Sequence, residues 1–371
     1  MRIGILLPGF SSNPADWAIP VQQNLARELA ASDDLRIIAL RYPHRRDRYS
    51  IDGAAVYSLG AGQVRGVQRL KLWWDALRLI DKLHREQPFD VLHAMWADET
   101  GLIAGWAGRR LAIPVVVSIL GGELVGLRDI GYGLQRSAFS RWIVRQALAQ
   151  VTRVIVPSVY VRRLAASHSV PDEKIVSITL GVDLERFIPA ALPPDSNRLI
   201  HIASLVPVKD QATLLRAFAL LNPRATLDIL GEGSERATLE ALARDLGISQ
   251  RIRFVGAVAH PDLPPYYQQA ALNLLTSRHE TIAMTTLEAA ACAVPTVSTN
   301  VGIVPDFPSL GLSVPVGDAP ALAHAVQSLL DDPQRRTALG HAARETVERE
   351  LSIQITAERL RALYQELTGK T

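Results

Sequence analysis

Short apolar runs alternate with amphipathic stretches from the first residues onward. "RIGILLP" reads as a buried strand, "AIPVQQNLARELA" as a helix, "LRIIAL" as a strand, and "LKLWWDALRLIDKLHRE", with apolar positions three and four apart, as a long helix. The same rhythm continues through "FDVLHAMW" (strand), "TGLIAGWAGRRLA" (helix), "IPVVVSILGGE" (strand and glycine turn), "SRWIVRQALAQ" (helix) and "VTRVIVPS" (strand). Alternation of this kind predicts a parallel sheet covered by helices on both faces.

Pro189, Pro193 and Pro194 interrupt every periodic pattern in "FIPAALPPDSNR", residues 187–198, which reads as a linker. Beyond it the rhythm resumes: "LIHIASL", "ATLDILGEG", "IRFVGAV" and "LNLLTS" as strands, with "DQATLLRAFALL", "SERATLEALARDLG", "DLPPYYQQA" and "AMTTLEAAACA" as helices between and after them. The pattern therefore predicts α/β architecture in two doubly wound Rossmann-like domains, 1–190 and 191–371. The last helix, "SIQITAERLRALYQELTG", has no strand to return to.

Length supports the division, since 371 residues exceed the roughly 250–300 at which one core stops growing. The single cysteine, Cys292, excludes disulfides and a cysteine-based zinc site. "MRIGILLPGF" is broken too early by Pro8 and Gly9 for a signal peptide, and no apolar run approaches about 20 residues. A cytoplasmic location is expected. Residues 1–195 carry 24 Lys and Arg against 19 Asp and Glu, whereas 196–371 carry 16 against 18. The basic first half admits peripheral contact with the anionic cytoplasmic face of a membrane, with Arg69, Trp73 and Trp74 at the interface, or a solvated surface of alternating charge. So small a surplus makes a poor phosphate track, and no nucleic-acid partner is expected.

In open parallel sheets, ligands bind beyond the carboxyl ends of the strands. Lys209 follows the strand "LIHIASL", where an ammonium can neutralise a phosphate; Gly231 and Gly233 in "ILGEGSE" permit a tight turn and close backbone approach. "SRHETIAMTTLEAAACAVPTV" is more specific. Its helix presents unpaired N-terminal amides, a ready anion site, while Glu280 lies just before the helix and Glu288 inside it. An ionised carboxylate buried without a partner is expensive. Two of them bracketing an anion site suit a diphosphate flanked by two polyols, or else a capping acid and a salt-bridged helix acid.

The stretch "E-TIAMTTL-E-AAACAVPTV" resembles the signature of the retaining glycosyltransferases of family four, two glutamates separated by seven residues before an alanine-rich helix. The similarity extends to "GVDLERF" (181–187), "ASLVPVKD" (203–210), "LGEG" (230–233), "FVGAV" (254–258), "TNVGIVPDF" (299–307) and the terminal helix. That resemblance implies the GT-B fold: two facing Rossmann-like domains, the first binding acceptor and the second a nucleotide-sugar donor, with helix 353–371 crossing back to the first. It further implies Glu288 on the ribose, Glu280 on the donor sugar, and Lys209 on the phosphates. Backbone around Thr281, Ile282 and Ala283 would meet sugar and diphosphate, backbone near Val258 the base, and Gly9 the distal phosphate.

Departures from the family pattern are specific. Ser204 stands where arginine usually accompanies Lys209, Ala283 and Ala293 replace glycines, and Leu120 occupies a usual histidine position; His93 and Glu123 are candidates for the acceptor-side role. No plausibly placed "DxD" appears, so neither a metal nor a tightly bound cofactor is expected. The activity implied is retaining transfer of a sugar from a nucleotide-diphosphate sugar to an unknown acceptor hydroxyl, in cell-surface glycan or glycolipid synthesis. The alternatives are a nucleotide-sugar-binding protein without turnover, and an epimerase or phosphorylase on the same fold.

Overall fold

The computed structural model describes residues 1–16, 19–191 and 197–370. Apolar runs in the first half become β1 (Arg2–Gly9), β2 (Asp34–Tyr42), β3 (Asp47–Ile51), β4 (Ala54–Ser58), β5 (Val91–Met95), β6 (Val115–Ser118), β7 (Arg153–Val156) and β8 (Ile175–Ser177). The helices among them are α1 (Pro20–Ala30), α2 (Gly66–Glu86), α3 (Glu99–Leu111), α4 (Ala138–Gln150) and α5 (Val159–Ser167). The strands form one sheet in the order β3-β4-β2-β1-β5-β6-β7-β8. β5 and β6 are buried at every position, as expected for central parallel strands covered on both sides.

The sheet is not wholly parallel. β3 and β4 pair antiparallel through the two-residue loop Asp52-Gly53, whose φ values of 48° and 85° match the right-handed strand twist. This edge hairpin escaped the periodic pattern because β3 is largely exposed and polar.

In the second half β9 (Arg198–Ile202), β10 (Thr226–Leu230), β11 (Ile252–Gly256), β12 (Leu272–Leu275), β13 (Thr296–Thr299) and β14 (Gly311–Val314) form a parallel sheet ordered β11-β10-β9-β12-β13-β14. Its helices are α6 (Gln211–Ala219), α7 (Arg236–Asp245), α8 (Pro264–Gln268), α9 (Met284–Ala291), α10 (Ala319–Leu330) and α11 (Pro333–Glu350). The core of this sheet is built from side chains such as Leu199, Leu227, Ile229, Leu272 and Val297.

One compact unit comprises Met1–Leu180 with the residues from Ile353 onward, and the other Gly181–Ser352. The division falls at Leu180/Gly181 rather than at 190/191. Phe187, 1% exposed, sets its ring against His260 and Tyr267 at 5.3 and 5.9 Å, anchoring this stretch to the second unit. Of the proline-rich linker read from the sequence, residues 192–196, including Pro193 and Pro194, lie outside the described residues. Gly181 is required by close approach, since a Cβ there would lie 2.1 Å from the Ser352 carbonyl oxygen.

The last helix, α12 (Ile353–Thr368), completes the first unit by packing on α1. It buries Leu360, Leu363 and Tyr364, and Arg361 Nε donates to Asp33 Oδ2 at 2.9 Å. Among the described residues no helix is long and apolar enough to cross a membrane.

Candidate functional site

Strand order in the second sheet reverses between β9 and β12: the chain moves outward through β10 and β11 on one side, then through β13 and β14 on the other. In open parallel sheets such a switch point is where ligands bind, beyond the carboxyl ends of the strands. Lys209 follows β9, Glu280 follows β12, and they meet: Lys209 Nζ lies 2.5 Å from Glu280 Oε1, to which Ser277 Oγ also donates at 2.6 Å. The loops are tied together beneath this pair. Thr276 Oγ1 donates to the Lys209 carbonyl at 2.9 Å, and Arg278 N to the Val208 carbonyl at 2.8 Å. Deeper still, His201 is fully buried, bonded through Nδ1 to the Leu274 carbonyl at 2.9 Å; burial pushes its pKa down to about 4, so it is a neutral brace.

From Glu280 the chain turns into α9 through Ala283, which adopts φ 68°, ψ 79°, and no side chain caps the helix. Gly302, at φ 72°, accommodates this turn, for a Cβ there would stand 2.8 Å from the Ile282 carbonyl. Thr281 and Ile282 are buried along it. The amides opening α9 therefore begin next to the Lys209–Glu280 pair without a side-chain oxygen occupying them.

Glu288 is only 5% exposed, and both of its oxygens are engaged. His260 Nε2 lies 2.9 Å from Oε1, and Tyr267 OH donates to Oε2 at 2.9 Å. Burial, reinforced by the nearby carboxylate, pushes the Tyr267 hydroxyl well above its ordinary pKa, which keeps it a donor. Neither partner was identified from the sequence. The available signal for His260 was its place just past β11, two residues after Val258.

The remaining second-unit candidates are dispersed around these clusters. Gly231 has φ 131° and would place a Cβ 2.0 Å from the Ala203 carbonyl; Gly233 would place one 2.2 Å from that of Leu205. Both glycines thus let the β10–α7 turn lie against the turn after β9. Ser204 is exposed, and its carbonyl accepts from Gln211 Nε2 at 3.0 Å. Val258 is half-buried, beyond Gly256.

Gly9, His93 and Glu123 belong to the first unit. Gly9 ends β1, where a Cβ would approach that of Tyr42 to 2.8 Å. His93 is fully buried in β5, with Nδ1 2.6 Å from Tyr364 OH and Nε2 2.8 Å from Ser118 Oγ. Burial lowers its pKa to about 3. Both ring nitrogens are spent inside the unit, so this neutral imidazole is placed as a core group rather than as one facing an acceptor. Glu123, 2% exposed, gathers the loop after β6: its carboxylate accepts from Leu120 N at 3.0 Å and Gly121 N at 2.7 Å. Burial raises its pKa to about 7 although these amides pull the other way. Among the described residues no cluster of three or more His, Cys, Asp or Glu side chains could hold a metal ion.

Two family models match the chain: "Glycosyl transferase 4-like domain" over residues 19–181 and "Glycosyl transferases group 1" over residues 185–346. A GDP-mannose-dependent monoacylated alpha-(1-6)-phosphatidylinositol monomannoside mannosyltransferase of Corynebacterium glutamicum is 30% identical over 306 residues, covering 76% of this chain and 77% of its own. Among solved structures, the sucrose-phosphate synthase of Thermosynechococcus elongatus superposes over 100% of both chains with a TM-score of 0.82 at 22% identity. HepE of Anabaena, solved in complex with UDP-glucose, superposes over 99% of this chain and 100% of its own with a TM-score of 0.76 at 16% identity.

Proposed function

This chain belongs to the group 1 glycosyltransferases, with the GT-B fold, and we propose that it transfers a sugar, with retention of anomeric configuration, from a nucleotide-diphosphate sugar to an acceptor hydroxyl in glycolipid or cell-surface glycan synthesis. The observation that carries the donor assignment is the meeting of Lys209 and Glu280 at the switch point, beside the uncapped start of α9. A diphosphate at those amides lies within the field of the α9 dipole and of Lys209, and both stabilise the negative charge that develops on the leaving group. Glu280, already oriented by Ser277, accepts from hydroxyls of the donor sugar. Glu288, held by His260 and Tyr267, turns toward the ribose. Support for this donor class comes from the mannosyltransferase relative, named for its dependence on GDP-mannose, and from the neighbour that holds UDP-glucose.

Thermal unfolding in the presence of UDP, GDP, ADP and TDP, alone and as sugar conjugates, tests the reading. One nucleotide is expected to stabilise the wild type, by about 2.7 kcal/mol at a hundredfold excess over Kd, and Glu288→Ala to lose that stabilisation. The matching nucleotide-sugar is then incubated with candidate acceptors and the anomeric configuration of the product read by NMR. Binding without transfer would support a non-catalytic sugar-nucleotide-binding protein, and no stabilisation by any nucleotide overturns the donor site.

A further inference from the structure

Nine large apolar side chains are conspicuously exposed among the described residues, and five of them lie on just two helices of the first unit. Val67, Leu70 and Trp74, at 81, 58 and 53% exposure, make one stripe along α2 at helical spacing. Phe139 and Trp142 stand 46 and 37% exposed on α4. An aromatic row joins the helices: the buried Trp73 stacks on Phe139 with centroids 6.5 Å apart, and Phe139 on Trp142 at 6.2 Å. Trp142 in turn walls a cavity of about 650 Å³ between α4 and residues 168–174. That cavity has an apolar lining that includes Leu148 and Val170, carries Arg141, Arg145 and Lys174, and contains no carboxylate.

Cations outnumber carboxylates around this face, where Asp75 pairs with Arg46, Asp172 pairs with Arg162 and Glu173 is exposed. Arg65, Lys71, Arg78, Arg141 and Arg145 have no ion-pair partner among the described residues, and the Arg78 guanidinium lies 4.9 Å over the Trp74 ring. An apolar stripe with indoles at its margin and unpaired cations around it matches the interface of an anionic bilayer, where lipid tails take the stripe and headgroups the cations. A second copy of the chain is a poor occupant, because a two-fold interface would set these cations against themselves.

We infer that this face of the first unit docks on an anionic lipid bilayer, with Val67, Leu70, Trp74 and Phe139 entering the headgroup region and the cationic cavity beside α4 seating a lipid headgroup. This face belongs to the first unit and the proposed donor residues to the second, so its failure and theirs are read separately.

The full chain is sedimented with vesicles of phosphatidylcholine, alone or with about 30 mol% phosphatidylglycerol. Association is expected with the anionic vesicles only, weakening as salt is raised. Arg141→Glu with Arg145→Glu should lower the partition coefficient at least about 25-fold, from roughly fivefold per cation near the surface. Leu70→Ser with Trp74→Ser should lower it comparably. All four positions are exposed, and preserved far-ultraviolet circular dichroism and thermal unfolding show that each variant folds. Equal association with neutral and anionic vesicles, no association with either, variants that bind like wild type, or a wild-type dimer in gel filtration that Trp74→Ser dissociates would each overturn the inference.

Discussion

Ala283 gives the most direct test of how the N-terminal end of α9 is built. The residue sits at φ 68°, ψ 79°, in the left-handed region where an L side chain costs about 1–2 kcal/mol. Glycine would remove that cost. Against the gain stand about 0.4–1 kcal/mol for the greater freedom of an unfolded glycine, and about 0.4 kcal/mol for a half-buried methyl. Ala283→Gly should therefore stabilise the second unit by about 0.5 kcal/mol, contrary to the usual direction for alanine to glycine in or near a helix. Ala293, at φ 58° just beyond the other end of α9, obeys the same balance, and the double variant should show about twice the effect. The opposite change supplies the large signal: Ala283→Val places a β-branched side chain in the same region and should cost at least about 1–2 kcal/mol. Scanning calorimetry reads all three variants, with each kcal/mol worth about 2–4 °C for a unit of this size. A double glycine variant that melts below wild type, or a valine variant that melts with it, would refute the assignment of stored strain to this turn.

Tyr267→Phe removes the donor to Glu288 Oε2 inside a buried cluster, and should cost about 1.5–3 kcal/mol in urea unfolding, the worth of a hydrogen bond to a charged group; a change below about 0.5 kcal/mol would mean that Glu288 is held by other groups. Burial raises Glu123 to about 7 from its ordinary 4.5, so between those values the folded protein keeps a proton that the unfolded chain releases. Wild-type stability should accordingly fall, by up to about 3 kcal/mol, as pH rises through that window. Glu123→Gln, which cannot ionise, should lack this slope when urea midpoints at pH 5 and 7.5 are compared, and parallel midpoints for the two proteins would disprove the shift.

The alternation of strands and helices was legible because parallel strands covered on both faces must be apolar at nearly every position, as "VLHAM" and "VVVS" are. Other elements broke that link between pattern and fold. The one local mark of the β3–β4 hairpin, its Asp-Gly turn, lies outside that periodicity, and α11 is too polar to show a stripe. Asp318 and Asp332 cap α10 and α11, each with a proline in the first turn that follows, a local signal that hydrophobic periodicity does not carry. For the site, placement at strand ends foretold where Lys209 and Glu280 would be, since the switch point is a property of chain order. The His260–Glu288–Tyr267 cluster depends on how the turn after β11 and helix α8 bring their side chains to α9, and no local pattern encodes that. His93 shows the converse: an imidazole in the middle of β5 invites a chemical reading, yet two buried hydroxyls hold both of its ring nitrogens.

Translation meets this fold in an awkward order. The first unit needs α12, whose Tyr364 bonds to His93 and whose Arg361 bonds to Asp33, but residues 181–352 are made in between. At about 5–20 residues per second that interval is on the order of 10–30 s, during which the nascent first unit lacks the helix that covers α1 and leaves His93 Nδ1 without its hydroxyl. The second unit is contiguous in the chain and can close before the first. For the ribosome, then, the N-terminal half is the later one to mature, and chaperones that recognise exposed apolar surface have their longest opportunity at the segment synthesised earliest.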